Sequence, residues 1–540
     1  MAAEGDSASV TSLAAGIAQA LREAGVRRMF GIPGGGSSLE LIEAARARDI
    51  DFILTRTETA ALIMAAVTGE LSETPGVALT GIGPGAASAV NGVAYAHLEK
   101  APLILFTDGP ASSLHQAFDQ NALYAPITKR RGRLTPRLGL THLAQGIEAA
   151  LALPRGAVQF DMTAADARAP AASAAAADER EGNEAAPAPA PGGMARMRDL
   201  LARARHPVII AGLEARYGRA PDALRLLAEA LHCPVLLTYK AKGTLPDDHA
   251  LTAGLFTGAA AESDLLGRAD LIIAYGLDPV EMIPGQWTYE APLAELTPRP
   301  SGSHLPAEPA CTLCGPLDHL AAALRPGLAP SAWSAAAITR HARTIRTRSQ
   351  LRGTGHTAQT VTQALSTLAP ADARLAVDAG AHMFSALCFW KARFPLGVLK
   401  SNGLSTMGYA LPAALASALH EPDRKALAIS GDGGMMMCLG ELRTAAQHGC
   451  DITLVVINDA ALSLIDIKQQ RSQYASRGVR YPHADFAALA AALGCASWRV
   501  REGDRLEPAL AKAIAHRGPA VVEVLCDAAG YGDQLVALRG

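Results

Sequence analysis

The fold of this chain is constrained most by residues 425–468, KALAISGDGGMMMCLGELRTAAQHGCDITLVVINDAALSLIDIK. Residues 426–430 are typical of a buried strand, which the glycines after it interrupt. The spacing of apolar residues then predicts a helix that ends at Gly449. The continuous apolar run 452–457 predicts a second buried strand. The stretch is therefore expected to form a strand–helix–strand unit of a parallel sheet.

Each of these two strands is followed by an aspartate, Asp432 and Asp459. Parallel neighbouring strands end at the same edge of a sheet, so the two carboxylates are expected to face one another across a crevice. Oxygen ligands suit Mg²⁺ or Ca²⁺, and the N–H groups of a glycine loop at a helix N-terminus suit phosphate. The pattern predicts a site for a divalent cation that holds a diphosphate. The alternative is that both motifs are ordinary turns.

Composition limits the classes of function. The chain has 540 residues, of which 49% are hydrophobic and 19% charged, as expected for a globular protein of about three or four domains. Its net charge of −2 gives no reason to expect nucleic acid or an anionic membrane as a partner. The N-terminus lacks a signal-peptide pattern, and no apolar run approaches the ~20 residues of a membrane span. A cytoplasmic protein is expected.

Glu58 is the first candidate catalytic residue. It lies where a predicted strand, DFIL, passes through TRTE into an apolar helix. A carboxylate at the apolar start of a helix suits a proton shuttle. The alternative is an acid favoured at a helix N-terminus by the helix dipole.

The order FGIPGGG, TRTETAA and TGIGPGAASAVNGVAYAHLEKAPLILFTD resembles the pyrimidine-binding domain of acetolactate synthase and related thiamine-diphosphate enzymes. GDG followed by ND resembles the cofactor motif of the same family, in which Asp459 replaces the usual asparagine. The resemblance implies that Glu58 hydrogen-bonds N1′ of the aminopyrimidine. It also implies that Asp432, Asp459 and the backbone carbonyl of Ala461 are the protein ligands of Mg²⁺.

Further site residues follow from the same resemblance. The segment LHQAFDQNALYAPITK matches the family's phenylalanine–glutamine pair, where Gln116 keeps the glutamine and His115 replaces the phenylalanine. Both are candidate catalytic residues, although His115 also fits an ordinary loop histidine. Ile467 and Lys468 stand where acetolactate synthases have a glutamine–tryptophan pair that shapes the acceptor pocket. Lys468 would pair with an anionic group of the substrate if it points inward, and is otherwise a surface lysine.

The third domain supplies the remaining cofactor contacts. The tract SNGLSTMGYALPAALASAL resembles the family segment that carries the apolar wedge under the cofactor, with Met407 as the wedge and Ser405 in place of a glycine. His382 matches the histidine that contacts the diphosphate. Without the resemblance, Met407 fits core packing. The cofactor-binding residues expected besides Glu58 are Gly380, His382, Ser405, Met407, Gly431, Gly433 and Gly434.

The expected fold class is α/β, with three doubly wound parallel-sheet domains. The boundaries are predicted at 1–165 for the pyrimidine-binding domain, 166–193 for an Ala/Pro-rich linker, 194–330 for the central domain, 331–355 for a second linker and 356–540 for the diphosphate-binding domain. The central domain of the family often holds FAD. No GxGxxG is found here, and the tract 293–320 is expected to lack a strand, so FAD is doubtful but remains open. Cys311 and Cys314 form a CxxC that reads as a loop coincidence, with zinc or redox use as the alternative.

The resemblance implies a thiamine-diphosphate- and Mg²⁺-dependent decarboxylation of a small 2-oxo acid, with carboligation to a second carbonyl compound. The first alternative is a non-ligating 2-oxo acid decarboxylase or lyase on the same scaffold. The second is a non-catalytic protein that only binds the cofactor or partner proteins. The family also implies a homodimer or homotetramer, because the pyrimidine-binding domain of one subunit faces the diphosphate-binding domain of another.

Overall fold

The computed structural model describes residues 11–109, 115–172, 192–282, 287–299 and 305–540. The chain divides into two compact units, Met1–Asn183 and Glu184–Gly540. The first unit contains one parallel sheet and the second contains two, each with six strands in the described part of the chain. The predicted α/β class with three parallel-sheet domains is confirmed.

The N-terminal unit is built on a sheet with the order β2-β1-β3-β4-β6-β5. Its strands are β1 Arg28–Ile32, β2 Asp51–Leu54, β3 Gly76–Thr80, β4 Leu103–Asp108, β5 Arg130–Arg133 and β6 Ala157–Met162. Its helices are α1 Leu13–Glu23, α2 Ser37–Arg46, α3 Glu58–Ser72, α4 Pro84–Ser88, α5 Val90–Glu99, α6 Gln120–Tyr124, α7 Gly139–Leu151 and α8 Ala164–Arg168. Thr57 caps α3 by accepting a hydrogen bond from Ala60 N at 3.1 Å, so the helix begins at Glu58.

The second unit begins with the central sheet, whose order is β12-β11-β10-β7-β8-β9. Its strands are β7 Pro207–Ala211, β8 Val235–Leu237, β9 Thr252–Leu255, β10 Leu271–Tyr275, β11 Leu293–Thr297 and β12 Cys311–Cys314. Its helices are α9 Gly193–Arg203, α10 Ala220–Leu231, α11 Ser263–Leu266 and α12 Leu317–Leu324.

Two expectations for this region need correction. The tract 293–320 does contain strands, because β11 and β12 lie in it and pair in parallel. The segment 331–355, predicted as a linker, contains helix α13, Ala335–Arg348. This helix places Ile338 in the core of the central sheet and Ile345 in the core of the C-terminal sheet, so it joins the two cores. Of the predicted linker 166–193, residues 173–191 lie outside the described residues.

The C-terminal sheet has the order β14-β13-β15-β16-β18-β17. Its strands are β13 Arg374–Val377, β14 Val398–Lys400, β15 Ala426–Gly431, β16 Ile452–Asn458, β17 Ala496–Val500 and β18 Ala520–Leu525. Its helices are α14 Ala358–Leu368, α15 His382–Phe389, α16 Ala410–His420, α17 Asp432–Cys438, α18 Glu441–Gln447, α19 Ser463–Arg471, α20 Phe486–Ala492, α21 Leu506–Ala515 and α22 Tyr531–Arg539. No helix in the described ranges is long and apolar enough to cross a membrane.

The strand–helix–strand unit predicted from residues 425–468 is present. β15 and β16 pair in parallel from Ala426 opposite Ile452 to Gly431 opposite Ile457. The connection differs in detail, because it is split into α17 and α18 at Gly440, and α17 begins directly at Asp432. Gly433 and Gly434 therefore lie in the first turn of a helix rather than in a loop before it.

Candidate active site

A cavity of about 470 Å³ opens at the carboxyl edge of the C-terminal sheet. Three adjacent strands of this sheet, β13, β15 and β16, are each followed by an aspartate: Asp378, Asp432 and Asp459. Asp432 and Asp459 line the cavity, as the crevice argument predicted. The other residues of the prediction that line it are Gly380, His382, Ser405, Met407, Gly431, Gly433, Gly434, Ala461 and Lys468.

Asp432 is buried, and its carboxylate accepts three hydrogen bonds. Its Oδ1 accepts hydrogen bonds from Gly433 N at 2.7 Å and from the hydroxyl of Tyr481 at 2.8 Å. Its Oδ2 accepts from Ala460 N at 2.7 Å. Tyr481 reaches the site because Tyr481 N donates to Ala460 O at 3.1 Å, which pairs its segment with the chain that follows β16. The carboxylate is thus fixed before any ligand binds.

Asp459 is half-buried, and Ser463 Oγ donates to its Oδ2 at 2.8 Å. Burial and then the charge of Asp432 raise the pKa of Asp459 to about 7. Two carboxylates that repel one another in a partly desolvated crevice fit a divalent cation. The described residues contain no cluster of three or more His, Cys, Asp and Glu side chains suited to a metal. The carboxylate donors at the cavity are thus two, and a Mg²⁺ site commonly uses one or two carboxylates and completes its shell with phosphate oxygens and water.

His382 provides a polar atom that a ligand would satisfy. Its side chain is buried, and burial lowers its pKa to about 4, so the ring is neutral near pH 7. Its Nε2 is buried and has no hydrogen-bond partner among the described residues. The ring lies against two glycines, where a Cβ would come within 2.7 Å at Gly380 and 3.1 Å at Gly431. An N–H at Nε2 therefore fits a diphosphate oxygen in the cavity, and the two glycines make room for the ring.

Sequence reasoning missed Asp378, which organises the wall behind the cavity. This buried carboxylate accepts hydrogen bonds from Ser430 Oγ at 2.8 Å, Gly408 N at 3.1 Å and Tyr409 N at 3.2 Å. Burial raises its pKa to about 6. A Cβ on Gly434 would lie 2.5 Å from Asp378 Oδ2, which explains a glycine in the first turn of α17. The available signal was its position directly after a strand, the same signal that identified Asp432 and Asp459.

The hydrogen bond from Gly408 to Asp378 holds the loop that carries Met407 at the cavity. The Met407 methyl carbon lies 3.3 Å from the position a Cβ would take on Gly433. Ser405, two residues earlier, is exposed and has a φ of 53°, in the left-handed region that favours glycine. The glycine that the family has at this position would fit the same backbone.

The two predicted pocket residues on α19 differ in position. Lys468 is exposed and lines the cavity. Ile467 is not one of the lining residues and packs against the core of the C-terminal sheet instead. This difference follows from helix geometry, because consecutive residues are about 100° apart around a helix.

In the N-terminal unit, Glu58 and Gln116 flank the turn of Gly83 and Gly85. Glu58 is half-buried, and its Oε1 lies 3.4 Å from the position of a Cβ on Gly85. Gln116 is exposed and has a φ of 59°, and its backbone oxygen lies 2.6 Å from the position of a Cβ on Gly83. His115 is exposed beside it. The structure thus places Glu58 beside Gly85 and Gln116 beside Gly83, at the same glycine turn.

The strand order of the central sheet reverses between β7 and β10, and this switch point is where a ligand crevice is expected. The buried carboxylate of Glu281 occupies the switch point. Glu281 Oε2 accepts from Leu213 N at 2.6 Å, and Thr238 Oγ1 donates to Oε1. A Cβ on Gly212 would lie 2.6 Å from Glu281 Oε2. Leu213 N at the switch point is therefore already hydrogen-bonded to a buried carboxylate.

The CxxC pair lies in edge strand β12 and not in a loop, which corrects the sequence interpretation. Cys311 Sγ donates to Gly193 O at 3.5 Å and Cys314 Sγ to Arg299 O at 2.8 Å. Both thiols are free, and burial raises the pKa of each. Residues three apart in a strand point to opposite faces, which disfavours a shared metal.

Comparison with known proteins identifies the class. Residues 11–128 match the description "Thiamine pyrophosphate enzyme, N-terminal TPP binding domain", residues 194–323 the central domain and residues 378–524 the C-terminal TPP binding domain. The chain belongs to the thiamine pyrophosphate enzyme family, and its expected cofactor is confirmed at the level of the family.

Its relatives include acetolactate synthases. The catabolic acetolactate synthase of Raoultella terrigena is 29% identical over 95% of this chain and 94% of its own length. The acetolactate synthase of Bacillus subtilis is 25% identical over 96% and 93%. The probable 2-ketoarginine decarboxylase of Pseudomonas aeruginosa is 30% identical over 93% and 91%. The predicted resemblance to acetolactate synthase is confirmed, while the names of the relatives cover more than one activity.

Proposed function

We propose that this chain is a Mg²⁺-dependent thiamine-diphosphate enzyme that decarboxylates a 2-oxo acid and joins the remaining acyl group to a second carbonyl compound. The observation that carries the proposal is the cavity in which two carboxylates, Asp432 and Asp459, lie with the unsatisfied Nε2 of His382. Such a site suits a metal–diphosphate group. The relatives named acetolactate synthase support the ligation step.

In this proposal Asp432, Asp459 and the carbonyl of Ala461 bind Mg²⁺, and His382 donates its Nε2 hydrogen to a diphosphate oxygen. Met407 supports the bound cofactor from the loop that Asp378 fixes. Gly431, Gly433 and Gly434 leave space for close approach, and Gly380 and Ser405 shape the turns beside them. When bound, thiamine diphosphate supplies the electron-accepting ring that makes loss of CO₂ from a 2-oxo acid possible.

The N-terminal unit supplies proton transfer. Glu58 would hold a proton at N1′ of the aminopyrimidine, where its half-buried carboxylate at the start of α3 suits an acid–base group. Gln116 would orient the substrate carbonyl by hydrogen bonding, and His115 would offer a titratable group beside it. The assignment of Gln116 is supported by its place at the same glycine turn as Glu58.

The same proposal includes a homodimer, or a homotetramer built from such dimers. Large apolar side chains are exposed on α17, on α19 and just beyond it: Met436, Met437, Ile465 and Tyr474. Exposed large apolar side chains are often found where a protein interface forms. A partner subunit that covers them would also close the cofactor cavity from water.

A simple 2-oxo acid decarboxylase or lyase is the second candidate. It is favoured by the relative named probable 2-ketoarginine decarboxylase and by the loss of the family's glutamine–tryptophan pair at Ile467 and Lys468. Without the tryptophan, the wall that would hold an acceptor is altered.

One experiment separates these possibilities. The purified protein is supplied with thiamine diphosphate and Mg²⁺ and incubated with a panel of 2-oxo acids, and CO₂ and the organic products are measured. With pyruvate, acetolactate supports the carboligase, whereas acetaldehyde without acetolactate supports the decarboxylase. An absence of CO₂ release from every 2-oxo acid would contradict both.

A further inference from the structure

The last helix of the chain, α22, forms part of the wall of the cofactor cavity through Leu535 and Arg539. The helix is anchored along its length. Gln534 Nε2 donates to Ser349 O at 2.6 Å, and Thr257 Oγ1 of the central domain donates to Leu538 O at 2.9 Å. Leu538, the residue just before Arg539, is thus hydrogen-bonded to the central domain. This contact fixes the position of the Arg539 backbone.

The guanidinium of Arg539 is held by two aromatic rings. It lies 5.7 Å from the ring centre of Tyr239 and 5.5 Å from that of Phe384. Phe384 itself lines the cavity. Both distances are within the range of a cation–π interaction, which positions a charged group without neutralising it. The side chain is therefore oriented, and its charge remains available to a ligand.

Arg539 also has an unsatisfied donor. Its Nε is buried and has no hydrogen-bond partner in the described part of the chain. A buried N–H without an acceptor is destabilising, and a guanidinium beside a cavity is satisfied best by a carboxylate or another planar anion. Arg539 is thus suited to bind an anionic ligand.

The charges of the cavity wall separate into two groups. The acids are Asp432 and Asp459, which the proposed Mg²⁺ neutralises. The bases are Lys468 on α19 and Arg539 on α22, two helices that contact one another through a hydrogen bond from Arg471 to Gly532 O at 3.3 Å. Once the metal is bound, the ionic groups left on the wall are cations from these two packed helices.

We infer that Arg539, assisted by Lys468, binds an anionic group at the far end of the substrate, so that the preferred 2-oxo acid carries a second carboxylate. The inference rests on the proposed function and specifies its substrate class. It also distinguishes this chain from its relative named probable 2-ketoarginine decarboxylase, because a cationic guanidino side chain would be repelled by this wall.

The test begins with binding rather than turnover. The protein is loaded with thiamine diphosphate and Mg²⁺ and titrated calorimetrically with glutarate, a dicarboxylate that lacks the 2-oxo group, and with butyrate as the monocarboxylate control. We expect glutarate to bind more tightly than butyrate. In Arg539→Gln the affinity for glutarate should fall at least about 10-fold, as expected for loss of a charged hydrogen bond, while that for butyrate is unchanged. Arg539→Lys should restore part of the affinity.

The exposed Arg477, which is not among the cavity-lining residues, provides the matched control, and Arg477→Gln should bind glutarate like the wild type. The affinity for thiamine diphosphate is measured in every variant. If Arg539→Gln weakens cofactor binding as much as glutarate binding, Arg539 serves the cofactor or the fold, and the inference is overturned. Equal affinity of the wild type for glutarate and butyrate overturns it as well.

Measurements of turnover distinguish a failure of this inference from a failure of the proposed function. CO₂ release is compared for 2-oxoglutarate, 2-oxobutyrate and 5-guanidino-2-oxopentanoate. The expected order places 2-oxoglutarate first, with its KM raised at least about 10-fold in Arg539→Gln and that of 2-oxobutyrate unchanged. If CO₂ is released but the neutral or the cationic acid is preferred, the inference fails and the proposed function stands. If no acid is decarboxylated while glutarate still binds through Arg539, the proposed function fails instead.

Discussion

The hydroxyl of Tyr481 donates a hydrogen bond to Asp432 Oδ1 at 2.8 Å, across 49 positions of sequence. Tyr481 is not a candidate metal ligand in our proposal, but its hydrogen bond orients Asp432, which is one. Groups that orient a metal ligand commonly affect metal affinity by 10- to 100-fold when they are removed. Tyr481 is therefore a positioning residue whose effect should be visible in the metal dependence of the enzyme.

We expect Tyr481→Phe to raise the Mg²⁺ concentration that gives half-maximal activity by about 10-fold, with activity at saturating Mg²⁺ largely retained. The reason is that Asp432 keeps its two backbone hydrogen bonds but loses one of the two that Oδ1 accepts. A Mg²⁺ titration of CO₂ release measures the effect. Tyr289→Phe, at a half-buried position that is not among the cavity-lining residues, is the control. An unchanged titration in Tyr481→Phe would show that the hydrogen bond has no role in metal binding.

Sequence reasoning predicted what depends on local pattern. The apolar run before Asn458 and Asp459, and the glycine turn at Asp432, sufficed to predict two adjacent parallel strands and a shared crevice. Asp378 also follows a strand directly. Its role in the site depends on β13 lying next to β15, which no local sequence pattern predicts.

Other features depend on long-range packing. Tyr481 reaches the candidate active site from a loop. Arg539 reaches it from the last helix, α22, which is anchored by the central domain. The four-residue edge strand β12 was missed because it is too short to show a period. The helix within 331–355 was missed because its two buried isoleucines belong to different cores.

The metal site allows a matched pair of substitutions. Asp459→Asn restores the residue that the family usually has, so we expect Mg²⁺-dependent activity to stay within about threefold of the wild type, since an oxygen ligand remains. Asp432→Asn should lose at least about 100-fold in activity at the same Mg²⁺ concentration, because Oδ1 and Oδ2 both accept hydrogen bonds that fix the carboxylate. Chelation of Mg²⁺ should abolish activity in the wild type. Equal losses in the two variants would contradict the proposed roles.

Glu58→Gln tests proton transfer in the N-terminal unit. The amide keeps the shape of the side chain and the capped start of α3 but cannot exchange a proton with N1′ of the cofactor. We expect CO₂ release to fall by at least about 100-fold while thiamine diphosphate still binds. Glu43→Gln, at an exposed site on α2, is the control. Unchanged CO₂ release in Glu58→Gln would show that the carboxylate takes no part in the mechanism.

The central domain leads to a prediction about flavin. Because Glu281 already accepts the hydrogen bond of Leu213 N at the switch point, we expect the purified protein to show no visible flavin absorption and no gain of activity with added FAD. The decisive measurement is the absorption spectrum after purification in the presence of FAD. A stoichiometric flavin spectrum would show that the crevice opens or that flavin binds elsewhere.

Glu281 also predicts how stability depends on pH. Burial raises its pKa to about 7 from an ordinary value of 4.5, with the nearby Asp278 adding to the shift and Arg299 pairing with Asp278 at 3.4 Å. The folded protein therefore holds this proton more tightly than the unfolded chain. The contribution to stability is complete below about pH 4.5 and is lost as the pH rises through about 7.

In Glu281→Gln the side chain is always neutral, and its amide can keep Leu213 N as a donor and offer a hydrogen to Thr238 Oγ1. We expect the Tm of the variant to match that of the wild type near pH 5 and to exceed it by a few degrees near pH 8, since a shift of this size corresponds to about 3 kcal/mol. Glu507→Gln, at an exposed position on α21, should follow the wild type at both pH values. A Tm difference that is the same at pH 5 and pH 8 would mean that Glu281 does not titrate in this range.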